Sequence, residues 1–164
     1  SIEYMRTVNV DWFGLGAAIP LPGTEMNDQF IKMGVIKEND ENLWEESNEF
    51  IVRNFDTPTC TADELKSLIT RLNLELNFIN NYNLRSGQYE RAAKIFNEIL
   101  IHYPYQVFCL IALYQAYKGL SDKRNCKKIR ENVLNLITSN KYNKNLYNKH
   151  RDLLKDTDFY DLHV

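Results

Sequence analysis

The chain has 164 residues, of which 44% are hydrophobic and 12% aromatic, and its 20 bases against 22 acids leave a net charge of −2. That suits one folded domain, or a domain with a fragment attached, able to bury a core without disulfides or metal. It excludes a disordered tail; no apolar run is long enough to span a bilayer and no charged-then-apolar leader opens the chain, so a soluble cytoplasmic protein is expected.

The near-neutral total conceals a split. Residues 1–64 hold 13 acids and 4 bases, whereas residues 65–164 hold 9 acids and 16 bases. Such halves mark two surfaces that attract each other, or a missing neighbour.

In chain order, Ile2–Asn9 reads as the end of a helix. Asp11–Ile19 then reads as a strand buried on both faces, because its apolar residues do not alternate with polar ones. Gly14 and Gly16 weaken that strand and suggest close backbone approach. Nothing else in the sequence reads as a partner strand, and a lone strand is unstable. The segment is therefore expected to pack on helices, to pair with a second copy of the chain, or to be disordered. After Pro20, Pro22 and Gly23, Thr24-x-x-Asn27 starts a short helix through Met33 that Gly34 stops. Residues 36–50 are acidic, with Leu43, Trp44 and Phe50 as anchors, and the connector "NFDTPT" (54–59) carries Pro58 as a breaker. This places a boundary between a front region, 1–56, and a helical region, 57–164.

Thr61-Ala62-Asp63-Glu64 is a capping box, and Leu65, Leu68, Ile69, Leu72, Leu76 and Ile79 follow at helical spacing, predicting one helix to about Leu84. Gly87 ends it. A second helix spans Gln88–Tyr103, and a third starts at Pro104 with Val107, Leu110, Ile111, Tyr114 and Tyr117 as its apolar face. Gly119 ends the third. A fourth covers Asp122–Thr138, with Cys126, Ile129, Val133, Leu136 and Ile137 inward, and a looser fifth covers Asn143–Leu154. Short links make these helices antiparallel neighbours.

The stretch "SGQYERAAKIFNEILIHYP" (86–104) looks like the second helix of a tetratricopeptide repeat. A step of 34 residues carries Gly87, Ala92 and Ile99 onto Ser121, Cys126 and Val133: turn, small, apolar. Phe96 steps onto Arg130, so the second copy is degenerate. The expected fold class is thus mostly α, antiparallel tetratricopeptide-like helix pairs preceded by a remnant strand of an α/β barrel. Helix pairs of this kind form a concave face, to which Tyr82, Tyr89, Tyr114 and Tyr117 could contribute a partner surface.

Local motifs for catalysis are absent from the sequence. Gly14-x-Gly16 lacks the third glycine of a dinucleotide fingerprint, Ile19 standing in its place. Cys60, Cys109 and Cys126 form no CxxC and no CxxxCxxC, and His102, His150 and His163 are not in metal-ligand spacing with them. No catalytic and no metal-binding residue is assigned. Pairs such as Asp40/Glu41 and Glu45/Glu46 read as a solvated face. From Lys118 to Arg151 there are 10 bases and 2 acids; a solvated face, or one docking on the acidic front, is expected there rather than a nucleic-acid surface. The asparagines of "NFINNYN" (77–83) read as compositional bias on exposed faces.

"VDWFGLGAAIPLPGTEM…MGVI" (10–36) resembles the last part of the catalytic barrel of radical S-adenosylmethionine enzymes, where a late strand ends in a Pro-x-Pro-Gly-Thr segment. Residues 43–104 resemble the helical tail that follows the barrel in members with a cobalamin-binding front domain. The resemblance covers about residues 8–137. It implies that the chain is a C-terminal piece, inert alone, which caps a barrel. Its partners would be the missing barrel and cobalamin domain, with self-association through residues 11–19 as a further expectation. The parent's [4Fe–4S] cluster, S-adenosylmethionine and, in such members, cobalamin would lie outside this chain, since the family's CxxxCxxC loop is not in it. Barrel strands end at the active site, so the resemblance places Gly14, Gly16, Pro20, Pro22, Gly23 and Thr24 at the barrel rim near the cofactors. The alternative is a stand-alone tetratricopeptide-like module that binds a peptide or protein.

Overall fold

The structure is a computed structural model that describes residues 2–38, 43–46 and 51–162; Asp40, Glu41, Phe50 and His163, singled out above, lie outside them, as do the side chains of Trp44, Glu45 and Glu46. The described chain is mostly helical. In order it forms α1 (Ile2–Thr7), α2 (Glu25–Lys32), a two-stranded hairpin β1 (Trp44–Glu46) and β2 (Ile51–Arg53), α3 (Ala62–Asn73), a π-helical turn (Leu74–Ile79), α4 (Tyr82–Arg85), α5 (Tyr89–His102), α6 (Val107–Gly119), α7 (Lys123–Ser139), α8 (Lys141–Lys149) and a 3-10 turn (Arg151–Leu154). Two compact units result: the first 13 residues together with those from Asn73 onward, and Gly14–Leu72. The sequence instead places a boundary at 56/57.

The Gly14–Leu72 unit is organised by caps. Thr24 stands at the N-cap of α2, accepting from the Asn27 N–H at 3.3 Å, and α2 stops where Gly34 adopts φ +68°. The capping box forms as predicted: the Glu64 carboxylate accepts from the Thr61 N–H at 2.8 Å and the Thr61 hydroxyl accepts from the Glu64 N–H at 3.1 Å. The β1–β2 pair is antiparallel, with Glu45 opposite Val52. Arg53 then ties its guanidinium to the Cys60 carbonyl at 2.7 Å and lies over the Phe55 ring.

Residues 11–19 do not form the expected strand. Among the described residues they enter no β-ladder, and the sheet consists of β1 and β2 alone. Exposure nonetheless alternates along them: Trp12, Gly14, Gly16 and Ala18 face out, while Phe13, Leu15, Ala17 and Ile19 are half-buried. That is the period of extended chain with one covered face, not burial on both. The alternation is invisible in the sequence because the open side carries Trp12, two glycines and an alanine rather than polar residues.

The other unit is built around α6. Its sequence, VFCLIALYQA from Val107 to Ala116, is apolar on nearly every side, and all but Gln115 of these ten residues are buried. The single predicted stripe therefore missed Phe108, Cys109, Ala112 and Leu113. α5 and α7 pack on either side of α6 through Ala92, Phe96, Ile129, Val133 and Ile137. The start of α6 also differs: Pro104 lies in the preceding turn, and the Gln106 side chain caps the helix by accepting from the Phe108 N–H at 2.8 Å. Beyond α8 the C-terminal tail folds back. Phe159 is fully buried, the Tyr147 hydroxyl donates to its carbonyl at 2.6 Å, and Arg151 donates to the Tyr160 carbonyl at 2.5 Å.

Two turns share one geometry. Before α5, Gly87 adopts φ +74°, its N–H bonds to the Leu84 carbonyl at 3.2 Å, and the next N–H, of Gln88, reaches back to Asn83 at 2.8 Å. Before α7, Ser121 adopts φ +59°, its N–H bonds to Lys118 at 3.0 Å, and the N–H of Asp122 reaches back to Tyr117 at 2.9 Å. Each is a left-handed helix stop with a six-residue closing bond.

At the α5–α6 contact, a Cβ placed on Gly119 would lie 2.4 Å from two ring carbons of Tyr89. Gly119→Ala should therefore lower stability by about 1–2 kcal/mol despite its better helix propensity, since the ring has to leave its seat. Urea unfolding checks this, and the loss should shrink when Tyr89→Ala is combined with it.

Candidate functional site

The predicted single helix from Thr61 to Leu84 breaks at the π turn, where the Asn80 N–H bonds five residues back to the Glu75 carbonyl at 2.7 Å. The wider turn buries Leu74, Glu75, Leu76, Asn77 and Phe78 in succession. Asn81 then caps α4, its side chain accepting from the Asn83 N–H at 2.9 Å. Three asparagines are thereby brought inside: Asn77, Asn81 and Asn83 are at most 1% exposed. The expectation that they lie on exposed faces is wrong.

What they hold is the segment after α1. The Asn77 amide pairs with both main-chain groups of Phe13, accepting from its N–H at 2.7 Å and donating to its carbonyl at 3.0 Å. Asn81 donates to the Asp11 carbonyl at 2.9 Å, and Asn83 donates to the Asp11 carboxylate at 3.0 Å. Arg91 of α5 takes the other Asp11 oxygen, and Arg85 donates to the Val8 carbonyl at 3.2 Å. Upstream, Arg6 lays its guanidinium on both oxygens of Glu75, at 2.5 and 3.0 Å. Trp12 meets the Phe78 ring edge to face at 5.4 Å.

The arrangement reads extended main chain much as a neighbouring strand would, with one side-chain amide supplying a donor and an acceptor to a single residue. Charge refines it. The Asn83 amide, and after it Arg91, hold the Asp11 carboxyl below its ordinary range, while Glu75 raises the already high pKa of Arg6. Together these contacts form a latch, a set of hydrogen bonds and ion pairs that holds Arg6 to Phe13.

The residues singled out from sequence are placed elsewhere. Gly14 and Gly16 have open space where a Cβ would stand, so close approach is not their role among the described residues. Gly23, at φ +81°, forms the turn in which the Thr24 N–H bonds to the Leu21 carbonyl at 3.1 Å; Pro20 is buried beside it and Pro22 exposed. The tyrosines do not present one open face. Tyr114 is buried, its hydroxyl donates to Asp158 at 2.7 Å and its ring meets Phe159 at 4.9 Å. Lys118 donates to both oxygens of the same carboxylate, and with Tyr114 it lowers the Asp158 pKa. Tyr117 accepts from Asn97, Tyr89 covers Gly119, and Tyr82 is half-buried at the start of α4.

Cys109 is buried, which drives its thiol pKa far up. Among the described residues no group of three or more His, Cys, Asp or Glu side chains could hold a metal ion, and no helix is long and apolar enough to cross a membrane. No protein-family model matches this chain, and no curated protein and no solved structure matches it.

Asn77→Ala should lower stability by about 2–3 kcal/mol, because two hydrogen bonds are lost and both polar groups of Phe13 are left without their partner. Urea unfolding gives the loss, and hydrogen exchange should show a faster Phe13 amide. The latch should also loosen in acid. The folded Asp11 pKa is depressed, so its stabilisation is fully present above the unfolded carboxyl value near 4 and disappears as pH falls through the lower folded value. Exchange of the residue 8–13 amides between pH 2 and 5 tests this, and Asp11→Asn should remove that acid step.

Proposed function

We propose that this chain is the C-terminal part of a cobalamin-type radical S-adenosylmethionine enzyme, catalytically inert by itself, whose helical unit caps the barrel. The observation that carries this is the latch. Asn77, Asn81 and Asn83 fasten Asp11–Phe13, which lead directly into the "VDWFGLGAAIPLPGTEM" segment on which the resemblance rests. A tail that closes a barrel has to fix the register of the last strand, since a slip of one residue turns every side chain to the wrong face. Residues 14–19 support the same reading: they have a strand's period of exposure, and among the described residues their main chain makes no hydrogen bond, as befits an edge left for neighbouring strands.

The cofactors of such a parent would belong to its preceding domains, with a cytoplasmic location. The cysteines of this chain do not fit a cluster: Cys109 is sealed in the core, and no cluster-forming set converges among the described residues. No reaction step is assigned to Gly14, Gly16, Pro20, Pro22, Gly23 or Thr24; their rim position would follow from the barrel.

A second reading, a stand-alone tetratricopeptide-like interaction module, is favoured by the two matching turns. Gly87 and Ser121 are 34 residues apart, and so are both pairs of their hydrogen-bonding partners. The capture face of such a module would exclude Tyr114, which the tail occupies through Asp158 and Phe159.

One determination separates the two. The reading frame upstream of the Ser1 codon should encode a CxxxCxxC loop within a preceding barrel. A start codon immediately upstream, with no such loop, would remove the enzyme reading and leave the interaction module.

A further inference from the structure

The latch is held closed by its own chain, and the connection behind the held segment is seated by its half-buried Leu15, Ala17 and Ile19 and buried Pro20 rather than by hydrogen bonds. From Gly14 to Pro20 the chain makes no hydrogen bond among the described residues, and the Cβ positions of Gly14 and Gly16 are open. Extended, Gly14–Pro22 can span roughly 30 Å. By contrast, Arg6, Val8, Asp11, Trp12 and Phe13 are each gripped by a named partner on the other side of the latch. A well-gripped element on a glycine-bearing connection that no hydrogen bond ties down is an arrangement that lets identical copies exchange the element.

Charge order gives the exchange a direction. Arg6 meets Glu75 and Asp11 meets Arg91. A segment laid in reverse would bring Asp11 toward Glu75 and Arg6 toward Arg91, two like-charge contacts that oppose it. The ligand selected is thus a short helix running into extended chain, with a base at the helix end five residues before an acid that two aromatic residues follow. A second copy of the chain carries that peptide by definition.

We propose that the latch accepts residues 2–13 of a second copy, forming a domain-swapped dimer, and that occupancy by its own segment keeps the chain monomeric until that segment is displaced. The tethered segment competes at an effective concentration on the order of millimolar, which is why exchange requires displacement. The swap rests on the latch contacts and on the unbonded connection from Gly14 to Pro20, not on the barrel reading, under which neighbouring strands would hold that connection instead.

Two full-length variants test it. Asp11→Ala/Trp12→Ala has a disabled segment and an intact latch; Asn77→Ala has the reverse. Mixed in equal amounts, they should give a 1:1 species of twice the 19.4 kDa single-chain mass by light scattering, whereas wild type stays at 19.4 kDa. A mixture that remains at the single-chain mass, with helical circular dichroism retained, overturns the proposal. Should either variant lose its helices, full-length Asp11→Asn and a fluorescein-labelled peptide of residues 2–13 take their place. Binding to Asp11→Asn should be at least about tenfold tighter than to wild type, whose latch is filled; equal binding, or none, overturns it.

Discussion

An extended main chain must place its N–H and C=O groups, and from Val8 to Phe13, beyond helix α1, the chain places several of them on side chains rather than on a sheet. Asn77 stands in for a strand by offering Phe13 both a donor and an acceptor, and Asn81 extends the pairing to Asp11. The rest of that unit is arranged around this obligation. The π turn exists where Glu75 and Asn77 have to face inward together, and α4 begins at an asparagine whose one side chain caps the helix and holds the segment. Burying three amides is tolerable only because nearly all their polar atoms are engaged; the Asn83 Oδ1 is the exception.

The opposite end of the chain follows the same rule. Tyr147 and Arg151 take the carbonyls of Phe159 and Tyr160, so the tail too is anchored by side chains that accommodate its main chain. Between the two anchors lies α6, apolar on nearly all sides and hence satisfied only at the centre of a helical layer. Its flanks are closed by small-to-large contacts, Gly119 under Tyr89 and Ala92 beside the core, which leave little tolerance for added volume.

Helix-level features were legible in the sequence because they depend on near neighbours. The Thr61/Glu64 box, the Thr24 cap and the stops at Gly34 and Gly87 each need only a few consecutive residues, and all formed. The latch was not legible, because its parts are separated by 64 to 80 residues and asparagine carries no periodic signal. Only the crowding of Asn77, Asn80, Asn81 and Asn83 within one predicted helix hinted at it: four such residues are poor helix formers, and a break was their natural consequence. The strand at 11–19 failed for a different reason. Its apolar run reads as two-sided burial, whereas the absence of polar residues on its open face, Trp12, Gly14, Gly16 and Ala18, hides a one-sided pattern.

The discontinuity of the latch bears on synthesis. Asp11 leaves the ribosome well before Arg91, its partner 80 residues later. At ordinary elongation rates that is a wait of roughly 4–16 s. For that interval Asp11 lacks its Arg91 partner, and for most of it Trp12 lacks the Phe78 ring. The latch is thus closed late, after the residues of the π turn and α5 have been made.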